Sequence, residues 1–123
     1  MLVQASGESY VDAMKNEIYQ RGPIGCNIEA TEAFDAYTSG VFCVSATYTE
    51  TNHAIAIVGW GFDTAANQEY WLLRNSWGTQ WGDAGFAKVC TGQNMMLLES
   101  QCSWATPVDT WTNEDRHTTT DAE

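Results

Sequence analysis

Positive charge is scarce in this chain: 5 Lys and Arg stand against 16 Asp and Glu, a formal net charge of −11. Nucleic acids and anionic membranes select basic faces, so neither is expected as a partner. No apolar run is long enough to span a bilayer. Met1 to Gly7 has neither the basic start nor the apolar core of a secretion signal. The four cysteines form no Cys-x-x-Cys pair, which weighs against zinc, and no metal is expected. No glycine-rich phosphate-cradling loop is present; Gly59, Gly61, Gly78, Gly82 and Gly85 are read as serving turns and close backbone approach. Neither an internal repeat nor a linker divides the chain before its tail.

What is present suits one globular domain or part of one. Hydrophobic residues make up 44% of the 123 and charged residues 17%, a balance typical of packed chains. Such a length buries roughly two thirds of its unfolded surface. Ser9 to Gln20 is predicted as a helix, with Ser9 and Asp12 as a capping pattern and Val11, Met14 and Ile18 on one stripe. Gly22-Pro23 stops it. Ile24 to Glu29 is a predicted strand. Thr31 caps a brief predicted helix that carries Phe34 and Tyr37 inward and closes at Gly40. Further strands are expected at Val41 to Val44, His53 to Gly61 (buried on both faces), Glu69 to Arg74, Gly85 to Thr91 and Met95 to Leu98, with a turn over 63–67. The fold class is α+β: an antiparallel, barrel-like arrangement with one or two short helices. Trp60, Trp71 and Trp81 are read as packing residues.

The tail 109–123 collects Asp109, Glu114, Asp115, Asp121 and Glu123 against Arg116 alone and lacks apolar periodicity; it is expected to be disordered. His117, within it, is read as inert. The even cysteine count favours disulfides, and disulfides imply an oxidising compartment. The missing leader and the cysteines are reconciled if the natural start lies upstream of Met1.

Two segments carry chemistry. Asn52-His53-Ala54-Ile55-Ala56-Ile57-Val58-Gly59-Trp60-Gly61 is followed by Asn75-Ser76-Trp77-Gly78-x-x-Trp81-Gly82-x-x-Gly85. They place a histidine and an asparagine at the edges of apolar strands. A thiol nucleophile needs a base and an orienter for that base, and these residue types can be both. Imidazole side chains titrate near neutrality, and so take a thiol proton and later hand it to a leaving amine. A carboxamide accepts the other ring N–H without adding charge, fixing tautomer and ring direction. Taken singly, a histidine beside a strand is an ordinary structural residue and an asparagine before serine an ordinary turn residue.

These motifs, with Gly22-Pro23-Ile24-x-Cys26, Tyr37-Thr38-x-Gly40 and Glu69-Tyr70-Trp71-x-x-Arg74, resemble the papain-like cysteine peptidases, and within that family the cathepsin Z-like branch. The likeness runs from about Tyr10 to Val108 and implies residues 8–108 as the C-terminal, right-hand half of the papain fold. It implies His53 and Asn75 as the candidate catalytic pair and Trp77 as the shield over their bond, excluding water and so strengthening it. It places Asn27, Thr51 and Ala54 at a substrate-binding surface. It implies a Cys26–Cys102 disulfide, worth about 4 kcal/mol in the chain-entropy model; Cys43 and Cys90 are then left, by exclusion, as a second candidate pair. No metal or organic cofactor is implied. The expected partners are a peptide or protein substrate and an N-terminal half carrying the nucleophilic cysteine, whose Cys-Gly-Ser-Cys-Trp type of context is absent here. The compartment implied is lysosomal or extracellular. Two rival readings stand beside this one: a non-catalytic peptide-binding module, and a structural remnant whose face toward the other half is exposed.

Overall fold

The computed structural model describes residues 10–104. Helix α1 (Tyr10–Arg21) has Asp12 in its first turn and Arg21 in its last, both complementing the helix dipole. Arg21 Nη1 also reaches Glu17 Oε1, one turn back, at 2.6 Å. Gly22, at φ +100°, ends the helix by donating its N–H to the Ile18 carbonyl at 2.9 Å, a turn that disfavours any residue with a Cβ. Ala13, Met14 and Ile18 face the core and Val11 packs at its margin. Ser9, the expected cap, lies outside the described residues, as do His117 and the acidic tail.

The sheet has six strands in the spatial order β2-β5-β4-β3-β1-β6. They are β1 (Ile24–Ile28), β2 (Val41–Phe42), β3 (His53–Asp63), β4 (Gln68–Arg74), β5 (Phe86–Cys90) and β6 (Cys102–Ser103). The β3–β4 hairpin turns where expected, and its antiparallel register sets Ala56 against Arg74. One pairing departs from the expected antiparallel pattern: β2 lies parallel to β5, with Val41 opposite Lys88. Parallel neighbours need a long connection rather than a tight turn, and here the β3–β4 hairpin and the loops on either side of it form that connection. The resulting mixed sheet with few helices is an α+β fold.

The short helix α2 (Glu32–Asp35) is capped by Thr31, whose Oγ1 accepts the Phe34 N–H. Phe34 and Tyr37 turn inward and are buried. Cys26 is bonded to Cys102 across the paired strands β1 and β6, and Cys43 to Cys90 beside the β2–β5 pairing.

Two strand expectations require correction. The β3 run is not buried on both faces: Ile55 and Ile57 are buried, whereas Ala54, Trp60 and Phe62 are exposed. Apolar residues in sequence do not reveal what covers each face. A bulge between Ile57 and Gly59 also shifts the register, so that Trp60 pairs with buried Trp71, the two rings meeting edge-on. The run at Met95 is a 3₁₀ segment (Met95–Ser100), not a strand, with Asn94, Met96 and Leu97 all at positive φ. Short apolar runs do not distinguish a strand from a buried helical turn, and side chains here buy their burial through left-handed backbone. Glu99 holds the segment, its carboxylate accepting from Trp71 Nε1 (2.7 Å), Gly92 N (2.7 Å) and Asn94 N (3.0 Å).

Candidate active site

Antiparallel pairing brings the start of β3 beside the end of β4, and with it the two motif residues. His53 is the first residue of β3; Asn75 directly follows β4. His53 Nε2 and Asn75 Oδ1 lie 2.7 Å apart. The Ser76 backbone N–H donates to the same Oδ1 at 2.7 Å. That second bond settles the proton assignment. An atom receiving a backbone N–H is an acceptor, so the imidazole nitrogen facing it must donate, and Nε2 carries hydrogen. Nδ1 of a neutral ring is then the free base. Asn75 is 9% exposed and its own N–H donates to the Gly85 carbonyl at 3.1 Å, so the carboxamide is firmly held. Its Nδ2 is buried without a partner among the described residues. His53 is half-buried.

Trp77 stacks on His53 with ring centroids 4.7 Å apart and planes at 23°. Behind it stand Phe34 at 6.0 Å and Trp81 at 5.3 Å, both edge-on. Trp81 donates its indole N–H to the Asp35 carbonyl, and Tyr37 its hydroxyl to the Gly40 carbonyl. The imidazole thus leans on a braced aromatic wall. Burial pushes the Tyr37 phenol up from its ordinary value, with the Lys88 backbone N–H opposing and the Asp83 charge adding to the shift. The spacing Gly78-x-x-Trp81-Gly82-x-x-Gly85 follows from backbone demands: Gly82 sits at φ +60°, where a Cβ would lie 2.8 Å from the Phe86 carbonyl oxygen.

The other sequence-derived site residues are less tightly gathered. Asn27 and Ala54 are cross-strand partners, both exposed, and therefore share one face of the sheet. Ala54 lines a shallow open depression of about 430 Å³ with Ala56, Arg74, Asn75 and Ser76. Asn27 and Thr51 are not among its walls; Thr51 lies in the segment before β3, two residues from His53. All four cysteines are bonded. Among the described residues no group of three or more His, Cys, Asp or Glu is arranged to hold a metal, and no helix is long and apolar enough to cross a membrane.

Sequence reasoning missed Glu29 and Asn52. Glu29 Oε1 accepts the backbone N–H groups of Thr49 (2.7 Å) and Glu50 (2.9 Å), and Asn52 bonds the backbone of Ala30 through both side-chain atoms. Their partners lie about twenty residues away, and no local pattern announces them; adjacency of Asn52 to His53 was the one available signal.

The fold and this arrangement belong to a known class. The sequence pattern of papain family cysteine proteases matches residues 3–108, and the chain belongs to that family. It is 39% identical over 102 residues to cathepsin Z of Onchocerca volvulus, covering 77% of this chain and 33% of that protein. It is 34% identical to dipeptidyl aminopeptidase 1 of Plasmodium falciparum, covering 85% of this chain and 18% of that one. The solved bromelain protease from Ananas comosus, in complex with the E64 inhibitor, superposes with a TM-score of 0.65 at 28% identity, over 74% of this chain and 43% of bromelain. The chain thus spans a third or less of the length of these two curated relatives.

Proposed function

We propose that this chain is the histidine-bearing part of a papain-family cysteine peptidase that hydrolyses peptide bonds with a thiol supplied by a segment outside these 123 residues. The observation that carries the reading is the His53–Asn75 bond with Ser76 on the same oxygen, which leaves Nδ1 as the proton acceptor. All four cysteines are consumed in disulfides, so the thiol has to come from elsewhere. His53 takes the proton of that thiol, and the thiolate attacks the peptide carbonyl carbon. The imidazolium gives its proton to the departing amine as the C–N bond breaks, leaving a thioester. His53 then deprotonates a water that attacks the thioester, and the released thiolate restores the pair. Asn75 holds the ring's direction and tautomer throughout. Trp77 keeps water from their bond. Ala54 and Asn27 present an exposed face for substrate, with Thr51 at its margin. The two disulfides and the cathepsin relative support a lysosomal or secreted setting.

Complementation tests the reading. The chain is combined with a segment bearing the family's Cys-Gly-x-Cys-Trp context and treated with a thiol-reactive peptide probe. Labelling is expected only in the combined sample, and to require His53. Labelling of the isolated chain, or labelling indifferent to His53→Ala, overturns the proposal. Tight peptide binding without turnover in the combined sample identifies a binding module instead.

A further inference from the structure

The two disulfides differ in what a thiol in solution meets. Cys26 and Cys102 lie within the paired strands β1 and β6, and both are buried. Cys43 is exposed, while its partner Cys90 is buried. The Cys43–Cys90 bond also closes a weak seam. Strand β2 contributes only Val41 and Phe42 to the sheet, paired with Lys88 and Val89 of β5. The disulfide continues that register by one step, its two Cα atoms 5.4 Å apart. Beyond it the chain runs from 44 to 52 without helix or strand, and residues 44–47 are all exposed. The later part of this connection has its own fastening, since Glu29 Oε1 accepts the N–H groups of Thr49 and Glu50. Its beginning is joined to the sheet through sulfur.

The seam adjoins the wall behind His53. Phe42, buried and next to Cys43 in sequence, meets Phe34 edge-on with ring centroids 5.5 Å apart. Phe34 meets Trp77 at 6.0 Å, and Trp77 stacks on the imidazole at 4.7 Å. Three ring contacts thus lead from the residue beside the disulfide to the histidine. Close packing transmits displacement along such a row, because no ring in it has room to move alone.

We propose that the Cys43–Cys90 bond is an exchange site for small thiols, and that opening it loosens the support of the His53 ring. A thiolate attacks Cys43 Sγ and the Sγ–Sγ bond breaks. Cys90 leaves as a thiolate that takes up a proton, and a mixed disulfide remains at Cys43. A second thiolate attacks the outer sulfur of that mixed disulfide. One small disulfide departs and Cys43 is left as a thiol, so that two small thiols are oxidised while the two cysteines are reduced. With the bond open, β2 keeps only its two-residue pairing with β5. Phe42 gains freedom, and Phe34 and Trp77 gain it in turn. A thiol peptidase needs its nucleophile in the reduced form, so the small thiols that keep such a cysteine free also reach Cys43. The site then limits how reducing the surroundings can become while the histidine stays braced. That consequence rests on the peptidase reading; the exchange and its effect on the ring do not.

The test incubates the whole chain with rising concentrations of reduced glutathione, quenches it with iodoacetamide and maps the cysteines by mass spectrometry. Cys43 and Cys90 are expected to open at a thiol concentration about tenfold lower than Cys26 and Cys102. In parallel, the His53 ring protons are followed by nuclear magnetic resonance, with His117→Gln as background to leave one of the two histidines. They move toward their unstacked positions as the bond opens, while backbone circular dichroism is retained. Cys43→Ser combined with Cys90→Ser reproduces the moved signals with no thiol present. Opening of Cys26–Cys102 first, or together with Cys43–Cys90, overturns the exchange site. So does loss of the folded signal on opening, which makes the bond a plain staple. Ring protons that stay in place in the reduced chain and in the double-serine variant overturn the coupling to His53. In the combined sample the double-serine variant, with no Cys43 thiol to meet the probe, should label roughly three- to tenfold more slowly, the scale of coupling through packed side chains. Moved ring signals with no labelling in either form remove the peptidase reading and keep the exchange site. Labelling at an unchanged rate with unmoved ring signals does the reverse.

Discussion

Trp71 donates its indole N–H to the carboxylate of Glu99 at 2.7 Å, and neither residue is appreciably exposed. The bond ties the centre of the sheet to the left-handed 3₁₀ segment, and the carboxylate also serves Gly92 and Asn94. Glu99→Leu leaves the buried Trp71 indole N–H unanswered and takes the acceptor from the N–H groups of the more exposed Gly92 and Asn94, for a loss of about 2–4 kcal/mol. Glu99→Gln, which keeps an acceptor, costs about 1–2 kcal/mol. Adding Trp71→Phe to Glu99→Leu removes one orphan and costs less than the sum of the single changes. Urea unfolding checks this through the midpoint, with the slope unchanged; equal losses for Leu and Gln would show that the carboxylate is not the fastening.

A second expectation concerns acid. The Lys15 ammonium, 2.6 Å from Glu69 Oε2, holds that carboxyl below the usual glutamate range against an opposing push from burial, and Thr91 helps. A depressed folded value stabilises the protein above the unfolded value of about 4.3 and ceases to do so as pH falls through the lower folded value. Because the pair is more than a third exposed on the glutamate side, screening limits the effect to about 0.5 kcal/mol. Glu69→Gln should therefore melt lower than the unaltered chain at neutral pH and converge with it below pH of about 4. Added salt narrows the neutral-pH gap. A gap that widens toward acid contradicts the assignment.

Backbone strain gives a third. Gly82 has positive φ and a carbonyl oxygen 2.8 Å from where a Cβ would stand, while Gly25 has ordinary φ and open space. Gly82→Ala is expected to cost about 2–3 kcal/mol, and Gly25→Ala to be neutral or stabilising by about 0.5 kcal/mol. Thermal melts of the two variants decide it, and comparable losses would mean the turn yields.

How much of this was legible beforehand depends on how far each signal reaches along the chain. Helix α1 announced itself by the stripe Met14 and Ile18 and by Gly22, and α2 by Thr31, because caps and stripes act within one or two turns. The β3–β4 hairpin was readable from its turn between apolar runs. The parallel β2–β5 pairing was not, since Val41 and Lys88 meet only through tertiary packing. Met95 to Leu98 misled because an apolar run specifies burial and not backbone, and the left-handed φ of Met96 and Leu97 is stabilised by Glu99 and its distant donors. At the candidate site, His53, Asn75 and Trp77 stood out through their dense local motif, and the structure brings them together. The roles of Glu29 and Asn52 did not, because both bond to backbone groups about twenty residues away, a relationship no local pattern encodes.

The last prediction separates orientation from shielding in the combined sample. Asn75→Ala removes the side-chain acceptor that faces Nε2–H, freeing the ring to turn and to exchange tautomers. Probe labelling should slow by roughly a hundredfold, the lower range for losing well-placed acid–base catalysis, while probe binding at equilibrium is unchanged. Trp77→Phe keeps an aromatic face against a ring now stacked at 4.7 Å, and should slow labelling by a few-fold at most. Trp77→Ala opens the His53–Asn75 bond to water and removes contacts with Phe34 and Trp81. Its labelling rate should fall between those of the other two, with a stability loss of about 1–2 kcal/mol. Stopped-flow labelling and parallel melts give both quantities. An Asn75→Ala rate matching that of the unaltered chain would mean that the hydrogen bond seen at 2.7 Å does not orient the base, and that some other group does.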